Sequence, residues 1–183
     1  MEKQLFIGGF GGQGAALIGK MIGYAAATEN KDSAFFPEYE TAMRGGASNC
    51  TVIVSDEKIR SVVLEQFDCV VAMDNRTATE HLGRVKTGGC LIVNTSLVKD
   101  TIQRHDIRIV EIPMNDMAEE LGNERTANII MLGAINAVMG MVDNKSLEHK
   151  IESQFAGKQN VVDLNLKAFK MGAEIAQKNG AEK

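Results

Sequence analysis

The chain has few of the residues that build metal or redox centres. Its 183 residues include three cysteines and three histidines. Cys50, Cys69 and Cys90 lie far apart, each inside a strand-like run (NCTVIV, DCVVAM, GCLIV), and no C-x-x-C pair occurs. Four thiolates for an iron–sulfur cluster or a cysteine-rich zinc site are therefore excluded, and the cysteines read as small buried hydrophobes. His81, His105 and His149 are equally scattered, so no metal ligand set is expected. Basic blocks are absent and the net charge is −4, which argues against a nucleic-acid surface. No apolar run approaches the roughly 18 residues of a membrane span. The start, MEKQLFIGG, goes directly into a strand-like run without the plan of a secretory signal; a cytoplasmic location is the expectation. An acid–base pair placed beside a nucleophile is also lacking, so no catalytic residue is expected in this chain alone.

What is present is an ordinary globular composition, 44% hydrophobic and 24% charged, at a length suited to one domain. Strand-like and helical runs alternate through residues 1–113. QLFIG (4–8), SAFFP (33–37), ASNCTVIVSD (47–56), DCVVAMD (68–74), GCLIVN (89–94) and RIVEIP (108–113) read as strands, the last stopped by Pro113. Runs such as DCVVAMD and GCLIVN are apolar on both faces, as in parallel strands covered by helices on both sides. AALIGKMIGYAAATE (15–29) and TATEHLGRV (77–85) read as helices between them. Residues 114–183 are helical: NDMAEELG (115–122), ERTANIIMLGAINAVMG (124–140), SLEHKIESQF (146–155) and VVDLNLKAFKMGAEIAQK (161–178). Ser146 is expected to open the third of these as the serine of a capping box. Helix 124–140 is apolar almost all round, which suits interior packing or a subunit face, including self-association of the isolated chain. The expected architecture is a single α/β domain over 1–183: a three-layer α/β/α arrangement on a mostly parallel sheet, with a helical C-terminal third.

Two glycine-rich stretches carry the functional signal. In IGGFGGQGAALIGK (7–20), Gly9, Gly11 and Gly14 have the spacing G-x-G-x-x-G between a strand and a helix. Gly12 and Gln13 complete the turn. Glycine lets backbone approach a ligand, and the following helix offers free N–H groups and a positive dipole end to an anion. A nicotinamide or flavin fingerprint also needs an acidic residue about 20 positions further on, for which Glu38 is the candidate. A bare structural turn, another anion or a protein partner remain equally open. There is no G-K-[ST], so a P-loop is not supported. In the second stretch, FFPEYETAMRGGASNCTVIVSDE (35–57), Arg44 precedes Gly45 and Gly46 in a polar loop. Its guanidinium has the planar donor fork suited to phosphate or carboxylate. A solvated surface arginine or a protein contact accounts for it as well. Asp74, Asn75 and Arg76, and Asn94, Thr95 and Ser96, end strands where open α/β sheets place ligands; helix capping is the simpler account of Asp74 and Asn75. Gly11, Arg44, Asp74 and Asn94 would then line one sheet edge.

Taken together, F-G-G-Q-G at Phe10 to Gly14, P-x-Y-x-x-x-M-R-G-G at Pro37 to Gly46 and ASNCTVIVSD at Ala47 to Asp56 resemble the gamma subunit of 2-oxoacid:ferredoxin oxidoreductases. The strands 68–74 and 89–94, and Asn128 to Ala134 (similar to the family's N-x-x-x-L-G-A), extend the resemblance over about residues 4–140. Family members read P-S-Y-G-P-E-x-R-G-G in the second motif. Here Glu38, Glu40, Thr41 and Ala42 stand at the corresponding positions, so the G-P-E element is not present, and Glu38 falls at a variable position. The resemblance implies a complex that converts a 2-oxoacid and coenzyme A to an acyl-CoA and carbon dioxide while reducing ferredoxin. It places thiamine diphosphate in alpha and beta subunits and iron–sulfur clusters in other chains, such as a ferredoxin-like delta subunit. For this chain it implies a non-catalytic part. Gly9, Gly11, Gly12, Gln13, Gly14, Arg44, Gly45 and Gly46 would cradle coenzyme A or dock on the thiamine-binding subunits. A stand-alone nicotinamide- or flavin-dependent oxidoreductase and a purely structural assembly subunit are the rival readings.

Overall fold

The computed structural model describes residues 1–39 and 46–180. Six strands form one sheet in the order β2 (Asp32–Tyr39), β3 (Ser48–Ser55), β1 (Glu2–Gly8), β4 (Phe67–Ala72), β5 (Val85–Asn94), β6 (Arg108–Ile112). β3 runs antiparallel to both its neighbours, and the pairs β1–β4, β4–β5 and β5–β6 are parallel. The sheet is thus mostly parallel, as expected. β3 takes a place beside β1 that a strict β-α-β alternation would have given to β2.

The period-two alternation of each strand sorts its side chains between two unequal layers. Leu5, Ile7, Val52, Val71, Ile92 and Val110 face one core. Against them lie α1 (Ala15–Thr28), α3 (Met114–Glu120), α4 (Ala127–Met139), α5 (Asn144–Gln154) and α6 (Gln159–Gly180). Phe6, Val70, Ala72, Leu91 and Val93 face the other side, covered by the short α2 (Asn75–Glu80) and by Leu64, Leu82 and Ile102 from connecting segments. Both faces are dry, which is why the strands read as nearly continuous apolar runs.

α4 is the centre of the thick layer. Ile129, Ile130, Met131, Leu132, Ala134 and Ile135 are all fully buried, so interior packing accounts for the all-round apolar pattern. It crosses α6 at glycines on both helices. A Cβ on Gly133 would lie 2.0 Å from the Phe169 carbonyl oxygen, and one on Gly172 would lie 1.8 Å from that of Ile130. Only hydrogen atoms fit between these backbones. Gly140, at φ 54, ends α4, and Lys3 Nζ donates to the carbonyls of Met139 (2.5 Å) and Gly140 (2.6 Å), closing the helix end on β1. No helix among the described residues is long and apolar enough to cross a membrane.

Several expected boundaries move. The helix expected at 77–85 runs from Asn75 to Glu80, followed by a 3-10 turn at Leu82–Arg84, and β5 begins at Val85. The early part of β5, KTGG, lacks strand character because it forms a bulge. Register jumps from Phe67↔Val85 to Cys69↔Cys90, with Gly88 at φ 76. α5 begins at Asn144, with Asp143 as the flanking residue, so Ser146 is not its N-cap. The glutamate that follows, Glu148, is two positions on rather than the three a capping box needs. Ser146 instead lies beside Glu29 at the end of α1 and helps lower its pKa.

Candidate functional site

The site is a rim at the C-terminal ends of β1 and β4. β1 ends at Gly8, where glycine is required because a Cβ would lie 2.5 Å from the Thr77 side chain. The chain then turns through Gly9–Gly14. Gly12 (φ 102) and Gly14 (φ 88) have left-handed backbone, a conformation that favours glycine. Gln13 ties the turn down: the Phe10 N–H donates to its Oε1 (2.8 Å), and its Nε2 donates to the Met73 carbonyl (3.0 Å). Its amide is thereby occupied by the protein's own backbone. Gly14 leads into α1 with no side-chain cap and no acidic residue in the first turn, so the positive end of the helix points at the rim.

The second glycine stretch meets the first. The Ser48 N–H donates to the Gly9 carbonyl (2.7 Å), the Gly11 N–H donates to the Gly46 carbonyl (3.0 Å), and Phe10 and Ala47 form an antiparallel bridge. Gly9, Gly11, Gly12, Gln13, Gly14 and Gly46 are thus brought to one rim. Arg44 and Gly45 lie outside the described residues. Gly11 and Gly12 are exposed. Gly11 is not among the left-handed glycines, and among the described residues a Cβ there would meet nothing nearer than the Gly46 oxygen at 3.8 Å; one on Gly12 would meet no described atom within 4 Å.

Residues that the sequence reading did not single out flank this turn. Asn128, at the start of α4, packs its amide under Gly14, where a Cβ would lie 2.4 Å from Nδ2. Asn49 sits beside Gly8 on the other side. The Oδ1 atoms of both asparagines are buried without a hydrogen-bond partner among the described residues, as is His81 Nδ1. His81 packs against Phe6 in a tilted pair (ring centroids 4.4 Å apart), and burial, with Arg84 nearby, lowers its pKa. The N-x-x-x-L-G-A likeness was the signal that could have found Asn128.

Other expected rim residues have internal jobs. Asp74 caps α2, its Oδ1 accepting from the Thr77 N–H at 2.8 Å, and Arg76 pairs with Glu80 at 3.1 Å. Asn94 is fully buried: its Nδ2 donates to the Met73 carbonyl (3.0 Å) and to Asn115 Oδ1 (2.9 Å), and its Oδ1 accepts from the Ser96 N–H. Asn94 therefore pins β4, β5 and α3 together and is removed from the list of ligand candidates. Glu38 lies near the end of β2, and β3 separates β2 from β1. At about 4.8 Å per strand it is one strand too far from the glycine turn for a ribose ligand, which dinucleotide folds take from the strand next to β1. No group of three or more metal-ligating side chains occurs among the described residues.

A mostly parallel α/β sheet with an uncapped helix start and two joined glycine segments on its C-terminal rim defines a ligand- or partner-facing α/β unit. The pattern of the pyruvate ferredoxin/flavodoxin oxidoreductase family matches residues 4–175, and the chain belongs to that family. It is 34% identical over 179 residues to the ketoisovalerate oxidoreductase subunit VorA of Methanothermobacter marburgensis, covering 97% of this chain but 37% of VorA. It is 33% identical over 180 residues to the 2-oxoglutarate synthase subunit KorC of Methanocaldococcus jannaschii, covering 97% of this chain and 95% of KorC. A solved keto/oxoacid ferredoxin oxidoreductase gamma subunit from Geobacter sulfurreducens superposes with TM-score 0.85 at 29% identity, covering 98% of both chains. The chain thus spans a little over a third of the VorA relative and nearly the whole of the KorC and gamma-subunit relatives.

Proposed function

We propose that the chain is the gamma-type subunit of a multisubunit 2-oxoacid:ferredoxin oxidoreductase, a cytoplasmic enzyme that joins a 2-oxoacid and coenzyme A to give an acyl-CoA, carbon dioxide and reduced ferredoxin. Thiamine diphosphate and iron–sulfur clusters belong to its alpha, beta and delta partners. The cysteine content of this chain agrees, since its three thiols stand in core strands. Its own contribution is the rim, which approaches the phosphates or carboxylate of coenzyme A and packs against the thiamine-binding subunits. The observation that carries this reading is the hydrogen-bonded junction of Gly11 with Gly46 beside the free end of α1. It joins two stretches of backbone at the rim, where Gly11 and Gly12 are exposed; Arg44 precedes Gly46 by two positions in the sequence.

The test is purification of the tagged chain from its own cells. The expected result is a complex that reduces ferredoxin only when a 2-oxoacid and coenzyme A are both supplied. Within that complex, Arg44→Ala is expected to raise the KM for coenzyme A about tenfold, the loss of one charge-assisted contact of roughly 1.4 kcal/mol. A chain that purifies alone and oxidises substrates with a nicotinamide would overturn the reading. A complex whose coenzyme A kinetics ignore Arg44 leaves the rim a docking surface only.

A further inference from the structure

A second cluster of reactive groups lies towards the opposite end of the strands from the glycine rim. Cys69 and Cys90 are partners in the parallel β4–β5 ladder, and Arg108 is the partner of Cys90 on β6. Both cysteines face the thick-layer core, and Arg108 shares that face by alternation with Val110 and Ile112. The three side chains form one row. In-register neighbours on adjacent strands have Cα atoms about 4.8 Å apart, inside the 4.4–6.8 Å range of disulfides. The two thiols are near enough for each to shift the other's ionisation, and the Cys69 thiol also lies 3.7 Å from the Val70 carbonyl, to which it donates.

The members of the row differ. Cys69 is fully enclosed and Cys90 is 5% exposed, next to the exposed bulge at Thr87 and Gly88. Burial, then the neighbouring Cys90, push the Cys69 thiol well up; Arg108 opposes this and Asp68 adds to it. The neighbouring Cys69, followed by Arg108, outweighs burial at Cys90 and brings it down to about 7. Cys50, on another strand, is pushed up to about 12 by burial and by Glu38. One cysteine of the three therefore has a stabilised thiolate, and it has a second thiol against it.

We propose that Cys69 and Cys90 form an oxidisable dithiol, in which Cys90 reacts first with hydrogen peroxide and Cys69 resolves the product into a disulfide. The Cys90 thiolate attacks a peroxide oxygen; the S–O bond forms, the O–O bond breaks, and the departing hydroxide takes up the thiol's proton as water. Cys69 sulfur then attacks the Cys90 sulfenic acid. The S–S bond forms, the S–O bond breaks, and that hydroxyl leaves with the Cys69 proton as a second water. Two thiols are oxidised and one peroxide is reduced. The bond would staple β4 to β5 away from the rim.

The test treats the intact folded protein with hydrogen peroxide, blocks remaining thiols by alkylation and maps the peptides by mass spectrometry. The expected product is a peptide pair linked through Cys69 and Cys90, reversed by dithiothreitol, with Cys50 still reduced. In Cys69→Ser the Cys90 sulfenic acid persists and is trapped by dimedone; in Cys90→Ser, Cys69 stays reduced. Melting curves establish that each variant is folded. Oxidation of all three cysteines at one rate would mean reaction through global unfolding and overturns the proposal. So does survival of both thiols, or oxidation of Cys69 in Cys90→Ser.

Discussion

Two sets of glycines occupy this molecule for different reasons. At the α4–α6 crossing, Gly133 and Gly172 face backbone atoms that a methyl group would penetrate. On the rim, a Cβ on Gly11 would meet no described atom nearer than the Gly46 oxygen at 3.8 Å, and Gly12 needs glycine for its φ of 102 but has no described atom within 4 Å of a Cβ. The first pair is explained by the chain's own packing. Packing among the described residues explains neither of the exposed pair, backbone conformation explains Gly12 alone, and Gly11 is where something from outside can approach. Gly14 belongs to both sets, since it has left-handed backbone and Asn128 packed against it.

Substitutions can break this contrast. Gly172→Ala is expected to cost about 3 kcal/mol or more, because the Ile130 carbonyl 1.8 Å from the new methyl is helix backbone and has no room to withdraw. Denaturant unfolding measures it, and a loss below about 1 kcal/mol would refute the close crossing. Gly14→Ala is expected to cost about 2 kcal/mol, from the left-handed conformation and displacement of the Asn128 amide.

Glu29→Gln tests the fastening of the thick layer to the end of α1. Glu29 accepts from the Asp143 N–H at 2.8 Å and pairs with Lys31 at 2.8 Å. Burial raises its pKa, but the contacts from Lys31, Ser146 and Asp143 outweigh it and leave the group below the ordinary carboxylate value. A depressed folded-state pKa means the stabilisation is complete above the unfolded-state pKa and is lost as pH falls through the folded one. The variant should therefore be about 1 kcal/mol less stable at neutral pH, with the gap closing in acid. A gap constant with pH would exclude the ionic contribution.

The smallest stability effect is expected at Gly11→Ala, within about 0.5 kcal/mol of the parent. On the proposed function, the same change should weaken association with thiamine-binding subunits or raise the KM for coenzyme A in the assembled complex. If Gly11→Ala unfolds the chain as Gly172→Ala does, the contrast between the two sets is lost.

Much of the fold was legible locally. QLFIG and the small-residue helix after it appear as β1 and α1, and Gly122, the last residue of the run 115–122, has the left-handed backbone of a helix stop. KTGG was not legible as strand, because a bulge built on Gly88 depends on β4 lying alongside. Ser146 and Asn94 looked like local capping or rim residues. Both answer to residues distant in sequence: Ser146 lies beside Glu29, and Asn94 bonds Met73 and Asn115. For the site, sequence spacing found the turn and the second glycine segment but could not show that Gly11 and Gly46 touch.

Hydrophobic period, glycine position and the lack of clustered cysteines were sufficient to determine an α/β chain with no cluster-binding cysteine motif, because those constraints act over a few residues at a time. Strand order was decided only in three dimensions. β3 enters antiparallel between β2 and β1, which joins the two glycine segments and removes Glu38 from the turn. Pairing of that kind is set by which apolar faces and backbone edges can be satisfied together, a condition on the whole sheet that no local window contains.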